Sequence, residues 1–366
     1  MSFNAKEKDL LLSNTISYLR FPLIFAVLII HTYITDQPSI GGQVLIPSGA
    51  LPAFDTYEYI IRICIAELAV PVFFLISGFL FFYKVDFNVD SYINKIKRRF
   101  KSLVVPYFLW NFIYLIYMAL AQYFVPSLAS PDRKMIIDYN LWELLDSFWH
   151  FDGVSYGGPI YGPLWFIRDL IVISILTPLF YYLIKYYNSL FISVLIVLYV
   201  WGVGLLIPGL GIIGILFFCF GASFSIKGSS IISIPSKSFF SLLFLGLLFL
   251  IVDVIFRGES YHLYIHRLFI ISWSVILPVT VSKITTLKKN NRILFLAECS
   301  FFVYVTHRFF ITVPNKIWAL IIPVNTFTAC CALIIIPLLV SSFCISLYLL
   351  MKRIFPKLTS VLIGGR

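Results

Sequence analysis

Two side chains on the first long apolar stretch have the right types and spacing to do chemistry together. Arg20 and His31 are 11 positions apart, which is about three helical turns and a rise of roughly 16 Å, so both project from nearly the same face. A guanidinium stays charged and suits a phosphate. An imidazole is the side chain best fitted to move a proton near neutral pH. Taken singly, Arg20 also fits a cation snorkelling at a membrane interface and His31 a hydrogen-bonded bundle histidine; their pairing on one stripe favours function. A second concentration of charge, Lys95, Lys97, Arg98, Arg99 and Lys101, stands directly before another apolar run. It reads either as a topology signal or as a dock for a polyanion such as a nucleotide-bearing substrate.

These groups must be positioned by elements that the composition already restricts. The chain has 366 residues, of which 60% are hydrophobic and 12% charged, and its mean hydropathy is +0.94. Soluble domains carry roughly 25% charged residues, so a water-soluble enzyme is excluded, as is a disordered chain. Cys64, Cys219, Cys299, Cys330, Cys331 and Cys344 all lie in apolar runs without ligand-like spacing and read as small buried hydrophobes. The net charge of +11 does not point to nucleic acid, because the basic residues cluster in short segments between apolar runs.

A bilayer core needs roughly 20 apolar helical residues to cross. The runs predict ten spans, at 16–34, 59–83, 103–125, 163–184, 190–207, 210–226, 239–256, 263–281, 293–313 and 327–351. Pro208 and Gly209 alone separate the fifth and sixth, although Pro-Gly is a strong turn signal. Barrel-type alternation is absent. The expected fold class is therefore all-α, one polytopic membrane bundle spanning 1–366, without a cleavable signal peptide or internal repeat. With the first segment inside, the inner segments hold nineteen of the 28 Lys and Arg residues and the outer segments four, which predicts both termini in the cytoplasm of a cell-membrane protein.

Ionisable groups inside such a bundle are costly and are functional candidates by default. Glu67 is expected level with His31 and is the first choice for the carboxylate that holds its tautomer, against a plain pairing with Arg62. Arg168 and Asp169, adjacent in sequence, project about 100° apart, need not pair and each satisfy a neighbour. His307, with Arg308 beside it, is a candidate to line the site. The longest connection, 126–162, offers Trp142, Trp149, His150, Asp152 and Tyr156; aromatic faces with nearby carboxylates suit a carbohydrate acceptor, and equally suit interfacial anchoring. His262 and His266 have the i, i+4 spacing of a zinc pair but lack the glutamate that would follow, so no metal is expected.

Five separated signatures resemble the membrane acyltransferase-3 family, in the family's order. They are Arg20-x10-His31, the run from Val70 to Leu80 with Ser77-Gly78-Phe79 inside it, the basic run ending in Leu103-Val-Val-Pro106-Tyr107, Leu164-Trp165-Phe-Ile-Arg168-Asp169-Leu170, and Ser300-Phe-Phe-Val-Tyr-Val-Thr-His307. The resemblance implies a ten-helix membrane enzyme that takes an acyl group, usually acetyl, from cytoplasmic acyl-coenzyme A and places it on a hydroxyl of a cell-envelope polysaccharide or lipid-linked sugar. It makes Arg20 and His31 the essential pair and draws Ser77, Trp165, Arg168, Asp169 and His307 to the site. The family's Arg-x-x-Arg pattern reads here Arg98-Arg99-Phe100-Lys101, so either register replaces the second arginine.

From these residues a mechanism is expected. Arg20, Arg98, Arg99 and Lys101 hold coenzyme A phosphates, the pantetheine arm threads the bundle, and His31, aided by Glu67, acts as general base on the acceptor hydroxyl or carries the acyl group itself. Trp142 and Trp149 bind the acceptor. The rival class is a transporter or flippase of a lipid-linked glycan, which buried Arg and His and the Pro-broken spans at Pro22, Pro71 and Pro178 also fit; no matching halves support it.

Overall fold

The computed structural model describes residues 4–36, 39–40, 43–125, 134–150, 157–205 and 207–365. Among them the chain is a helical membrane bundle. Eight helices are long and apolar enough to cross a bilayer: α1 (Ala5–Ile30), α2 (Pro52–Phe82), α3 (Val89–Phe124), α6 (Thr177–Trp201), α8 (Ser236–Ile255), α9 (His262–Ile284), α10 (Asn291–Ile321) and α11 (Thr326–Ile354). Between them lie the short α4 (Leu141–Ser147), α5 (Trp165–Ile175) and the apolar α7 (Ile212–Ile226), and α12 (Pro356–Leu362) follows α11. The fourth and fifth predicted spans are divided differently from the expectation. The helix breaks at Leu176, and α6 then runs through to Trp201 with one non-helical residue, Tyr187, between the two predicted stretches.

Asparagine starts several helices. Asn4, Asn88, Asn140 and Asn325 each accept from the backbone N–H of the third helical residue, whose side chain returns a bond to the cap. That reciprocal arrangement satisfies two otherwise orphaned donors.

The central helix is α1, which packs against α10, α9, α2 and α11, while α2 lies along α7, α8 along α9 and α10 along α11. Large apolar side chains such as Phe240, Phe244 and Leu190 stay exposed on the periphery, the surface that a lipid-embedded bundle turns to hydrocarbon. Where α2 meets α7 the backbones touch. A Cβ on Gly78 would lie 1.9 Å from the Phe218 carbonyl oxygen, and one on Gly221 1.9 Å from that of Leu75. Small residues let membrane helices approach this closely.

Two helices contain π-helical turns. In α2 the stretch Tyr59–Ile65 is π-helical and Ala66–Leu68 is 3-10, and in α3 Phe100–Val104 is π-helical. Such turns insert an extra residue per turn, rotate the remainder of the helix, and gather at functional sites. Here one carries Tyr59, Arg62 and Cys64 and ends just before Glu67, and the other takes in Lys101, the last residue of the basic run.

Candidate functional site

The α1 stripe becomes a wall. Ile16, Ser17, Arg20, Ile24, Val27, Ile30 and His31 line one cavity of about 820 Å³, and their spacing is the i, i+3, i+4 pattern of a single helix face. Arg20 and His31 therefore face the same space, Arg20 at the end that carries the basic segments and His31 toward the far end. Val70, Phe73, Ser77 and Leu80 of α2 form a second wall, Trp165, Phe166 and Leu170 of α5 a third, and Glu298, Ser300, Phe301 and Tyr304 of α10 a fourth. Most of this surface is apolar, with few polar groups, as in sites that take a long, thin ligand and fix it at particular points. Pro163, at the far end, lines the cavity and is tied down because Tyr304 donates its hydroxyl proton to the Pro163 carbonyl.

At the basic end Arg20 has no ion-pair partner among the described residues. Glu298 also faces the cavity there, but its carboxylate is engaged by Lys352 Nζ at 2.5 Å and by the Tyr348 hydroxyl at 2.7 Å. Arg99 reaches the α2 wall: Nη2 donates to the Ser77 carbonyl at 3.4 Å, and the guanidinium lies 5.1 Å from the Phe81 ring centroid. Lys95 approaches the same ring at 5.3 Å. Arg98 and Lys101 are exposed and outside the cavity lining. Of the basic cluster, then, the fold brings Arg99 to the cavity wall and leaves Arg98 and Lys101 on the surface beside it.

At the far end His31 ends α1, and its carbonyl accepts from Asn315 Nδ2 at 3.1 Å. Its ring lies 5.2 Å from that of His307, tilted by 32°. His307 is fully buried and its Nδ1 is 2.6 Å from the Tyr304 carbonyl. That carbonyl requires a proton on Nδ1, which leaves Nε2 as a lone pair, and Nε2 is buried without a partner. The ring packed against His31 is thus an imidazole on α10, in contact with it but not hydrogen-bonded to it.

Glu67 lines the same cavity, but its hydrogen-bond partner is His266 Nε2, at 3.4 Å, rather than His31. Arg62 pairs with Glu58 at 2.9 Å, so it is not the partner of Glu67 either. His266 Nδ1 lies 2.8 Å from Asp253 Oδ2, which also accepts from Cys64 Sγ at 3.5 Å. Cys64 is therefore part of a polar cluster, not simply a small hydrophobe. Cys64, Asp253 and His266 offer metal-type donor atoms within 4.8 Å of one another. Those atoms are engaged with each other, and His262 takes no part, its Nδ1 facing the Glu259 carbonyl at 3.1 Å. Sequence reasoning missed this cluster. Its signals were separate ones, Glu67 and His266 and the lone acid Asp253 in an otherwise apolar span, with nothing in their spacing to join them.

Arg168 and Asp169 depart from expectation. They do pair, Nε and Nη2 of Arg168 lying 3.2 and 3.1 Å from Asp169 Oδ1, because the long arginine side chain folds back across the 100° between them. They stand behind the α5 wall rather than on the cavity. Arg168 Nη1 donates to the Trp149 carbonyl at 2.7 Å and the Gly157 carbonyl at 2.5 Å, and Asp169 Oδ2 accepts from the Gly211 N–H at 3.2 Å. The pair thus anchors two far-end connections. Trp149 packs inward near Tyr107, while Trp142 is 75% exposed, and neither lines the cavity. Asp152 and Tyr156 lie outside the described residues.

No curated protein and no solved structure matches the chain. A family model does, described as an acyltransferase domain, over residues 14–351. That range takes in every wall of the cavity and both ends of the α1 stripe, so this membrane bundle is a member of the acyltransferase-3 family.

Proposed function

We propose that this membrane acyltransferase moves an acyl group, most simply acetyl, from cytoplasmic acyl-coenzyme A to a hydroxyl of a cell-envelope polysaccharide or lipid-linked sugar. The carrying observation is that Arg20 and His31 face one continuous cavity from its two ends. In this reading Arg20, with Arg99 beside the Ser77 wall, holds the donor's phosphates, while Arg98 and Lys101 add attraction at the surface. The donor's thin arm runs along the apolar walls, which places the thioester near His31.

His31 then takes the proton from the acceptor hydroxyl as its oxygen bonds the thioester carbonyl carbon. The C–S bond breaks with its electron pair on sulfur, and coenzyme A leaves as the thiolate, which takes its proton from cytoplasmic water, so the acceptor's proton stays on His31. A positioned base of this kind contributes about 10²–10⁴ in rate. The His307 ring, packed against His31, limits where the His31 ring can lie. The acceptor enters from the far end, past Pro163 and Trp165. The same reading has the basic segments facing the cytoplasm, as their charge favours, in a cytoplasmic membrane with the donor inside.

The test is purified protein in lipid vesicles with acetyl-labelled acetyl-coenzyme A and an envelope glycan fraction. Label should move to glycan with the parent protein and not with His31→Ala, which should still bind the donor. Near-normal transfer by His31→Ala would end the assignment. Absence of any transfer by the parent protein, with glycan instead crossing the bilayer, would favour a flippase.

A further inference from the structure

A second cavity lies at the far end, a recess of about 460 Å³ whose polar lining includes Asp55, Glu58, Tyr59, Arg62 and Arg257. It differs from the main cavity in being mostly polar, and Asp55 turns one buried carboxylate oxygen without a partner beside it. Between recess and main cavity runs a continuous line of hydrogen bonds. Tyr59, on the recess, donates its hydroxyl proton to Asp253 Oδ1 at 3.0 Å. Asp253 Oδ2 meets His266 Nδ1 at 2.8 Å, and His266 Nε2 meets Glu67 Oε2, on the main cavity, at 3.4 Å. Asp253 is completely buried and His266 nearly so.

We propose that Tyr59, Asp253, His266 and Glu67 form a proton path by which the acid–base groups of the main cavity equilibrate with the far side of the membrane while the donor fills the basic end. The proposal rests on the acyl-transfer reading for its use, though not for its geometry. An imidazole with a carboxylate at each nitrogen has three arrangements open to it. It is an imidazolium donating to both, or Glu67 or Asp253 carries the proton and donates to a neutral ring. Shifting one proton between a ring nitrogen and the carboxylate oxygen facing it converts the first into either of the others. At the opposite end a protonated Asp253 can pass its proton to the Tyr59 oxygen as the Tyr59 hydroxyl gives its own to water in the recess. Buried carboxylates and histidines strung between helices are the form that intramembrane proton relays take.

The groups facing this path come from several helices. Cys64 of α2 touches Asp253, Arg257 stands 6.0 Å over the Tyr59 ring, and Tyr199 of α6 lies near Glu67 and Arg267. Arg267 itself is tied to the Val200 carbonyl at 2.9 Å. His31 shares the main cavity with Glu67. Blocking the basic end with a bound donor would isolate a protonated His31 from the cytoplasm, and the path gives that proton an outlet.

The test uses the full-length protein in lipid vesicles, with acetyl-coenzyme A outside, the envelope glycan fraction as hydroxyl acceptor in the lumen, and the two pH values set independently. Only molecules with the basic end outward see the donor. Turnover, read as thiol release plus acetylated glycan, should rise with luminal pH, because a lower proton activity there drains the path, and should ignore external pH. His266→Gln should cut turnover by about a hundredfold, the low end for a positioned acid–base group, and flatten the luminal response at unchanged donor KM. Tyr59→Phe, which removes one hydroxyl, should flatten it with little risk to folding. A rate that tracks external pH, or a His266→Gln protein that keeps the luminal response, overturns the path. If the parent protein shows no turnover at all, the acyl-transfer reading falls instead. A luminal pH dye in the same vesicles then decides the path alone: potential-driven proton entry slowed by His266→Gln sustains it, and equal entry refutes it.

Discussion

At the scale of single residues, the pairing of Arg20 with His31 was legible because both sit on one helix, where spacing alone fixes the shared face. The partners of His31 and Glu67 were not, since His307, His266 and Asp253 come from helices hundreds of positions away and only tertiary packing joins them. The two ends of the cavity should respond differently to truncation. Arg20→Ala should raise the KM for acetyl-coenzyme A by roughly tenfold to a hundredfold, for the loss of a charge-assisted contact of about 1.5–3 kcal/mol, and leave kcat largely intact. His307→Ala, which removes the neighbour of His31, should lower kcat with little change in donor KM. Steady-state kinetics on both variants checks the split. Outside the bundle, Lys134 beside Glu143 holds that carboxyl below its usual range. Because the shift is downward, whatever this pair contributes to α4 is present above the ordinary carboxylate pKa and disappears as pH falls through the lowered one. Hydrogen-exchange protection across α4, corrected for the intrinsic exchange rate, should be level at neutral pH and fall only in acid.

At the scale of helices, length and hydropathy located the long spans, and the positions that escaped prediction are those where the helix is not regular. No periodicity announces the π-helical turns of α2 and α3, the break at Leu176, or α12. The last is held by tertiary contact, the Trp110 indole donating to the Leu362 carbonyl at 3.0 Å. The Ser77-Gly78-Phe79 sequence acquires a physical reading from the fold. Ser77 faces the cavity and Gly78, about 100° further round the helix, meets the backbone of α7. Gly78→Ala should therefore destabilise the bundle by about 1–3 kcal/mol, the usual cost of overpacking, by forcing α2 off α7. A thermal-inactivation series in detergent or nanodisc, with Ser77→Ala as the mild comparison, measures it.

At the scale of the whole molecule, the cavity is polar at its two ends and greasy between them, and its basic mouth is protected from a charge of the wrong sign. Glu298 faces the space where an anion would enter, and Lys352 from the end of α11 neutralises it. Lys352→Ala should weaken donor binding without touching the far end, visible as a raised KM that added salt partly corrects, since screening weakens repulsion between exposed charges. The bare contact of α2 with α7 has a mechanical sequel. With no side chains between those two rods to re-pack, neither can tilt against the other, so any breathing that admits a bulky guest falls to the facing wall. There α1 and α10 carry Pro22 and Pro314 within their lengths, each a missing rung in the ladder of backbone bonds and a natural place to flex.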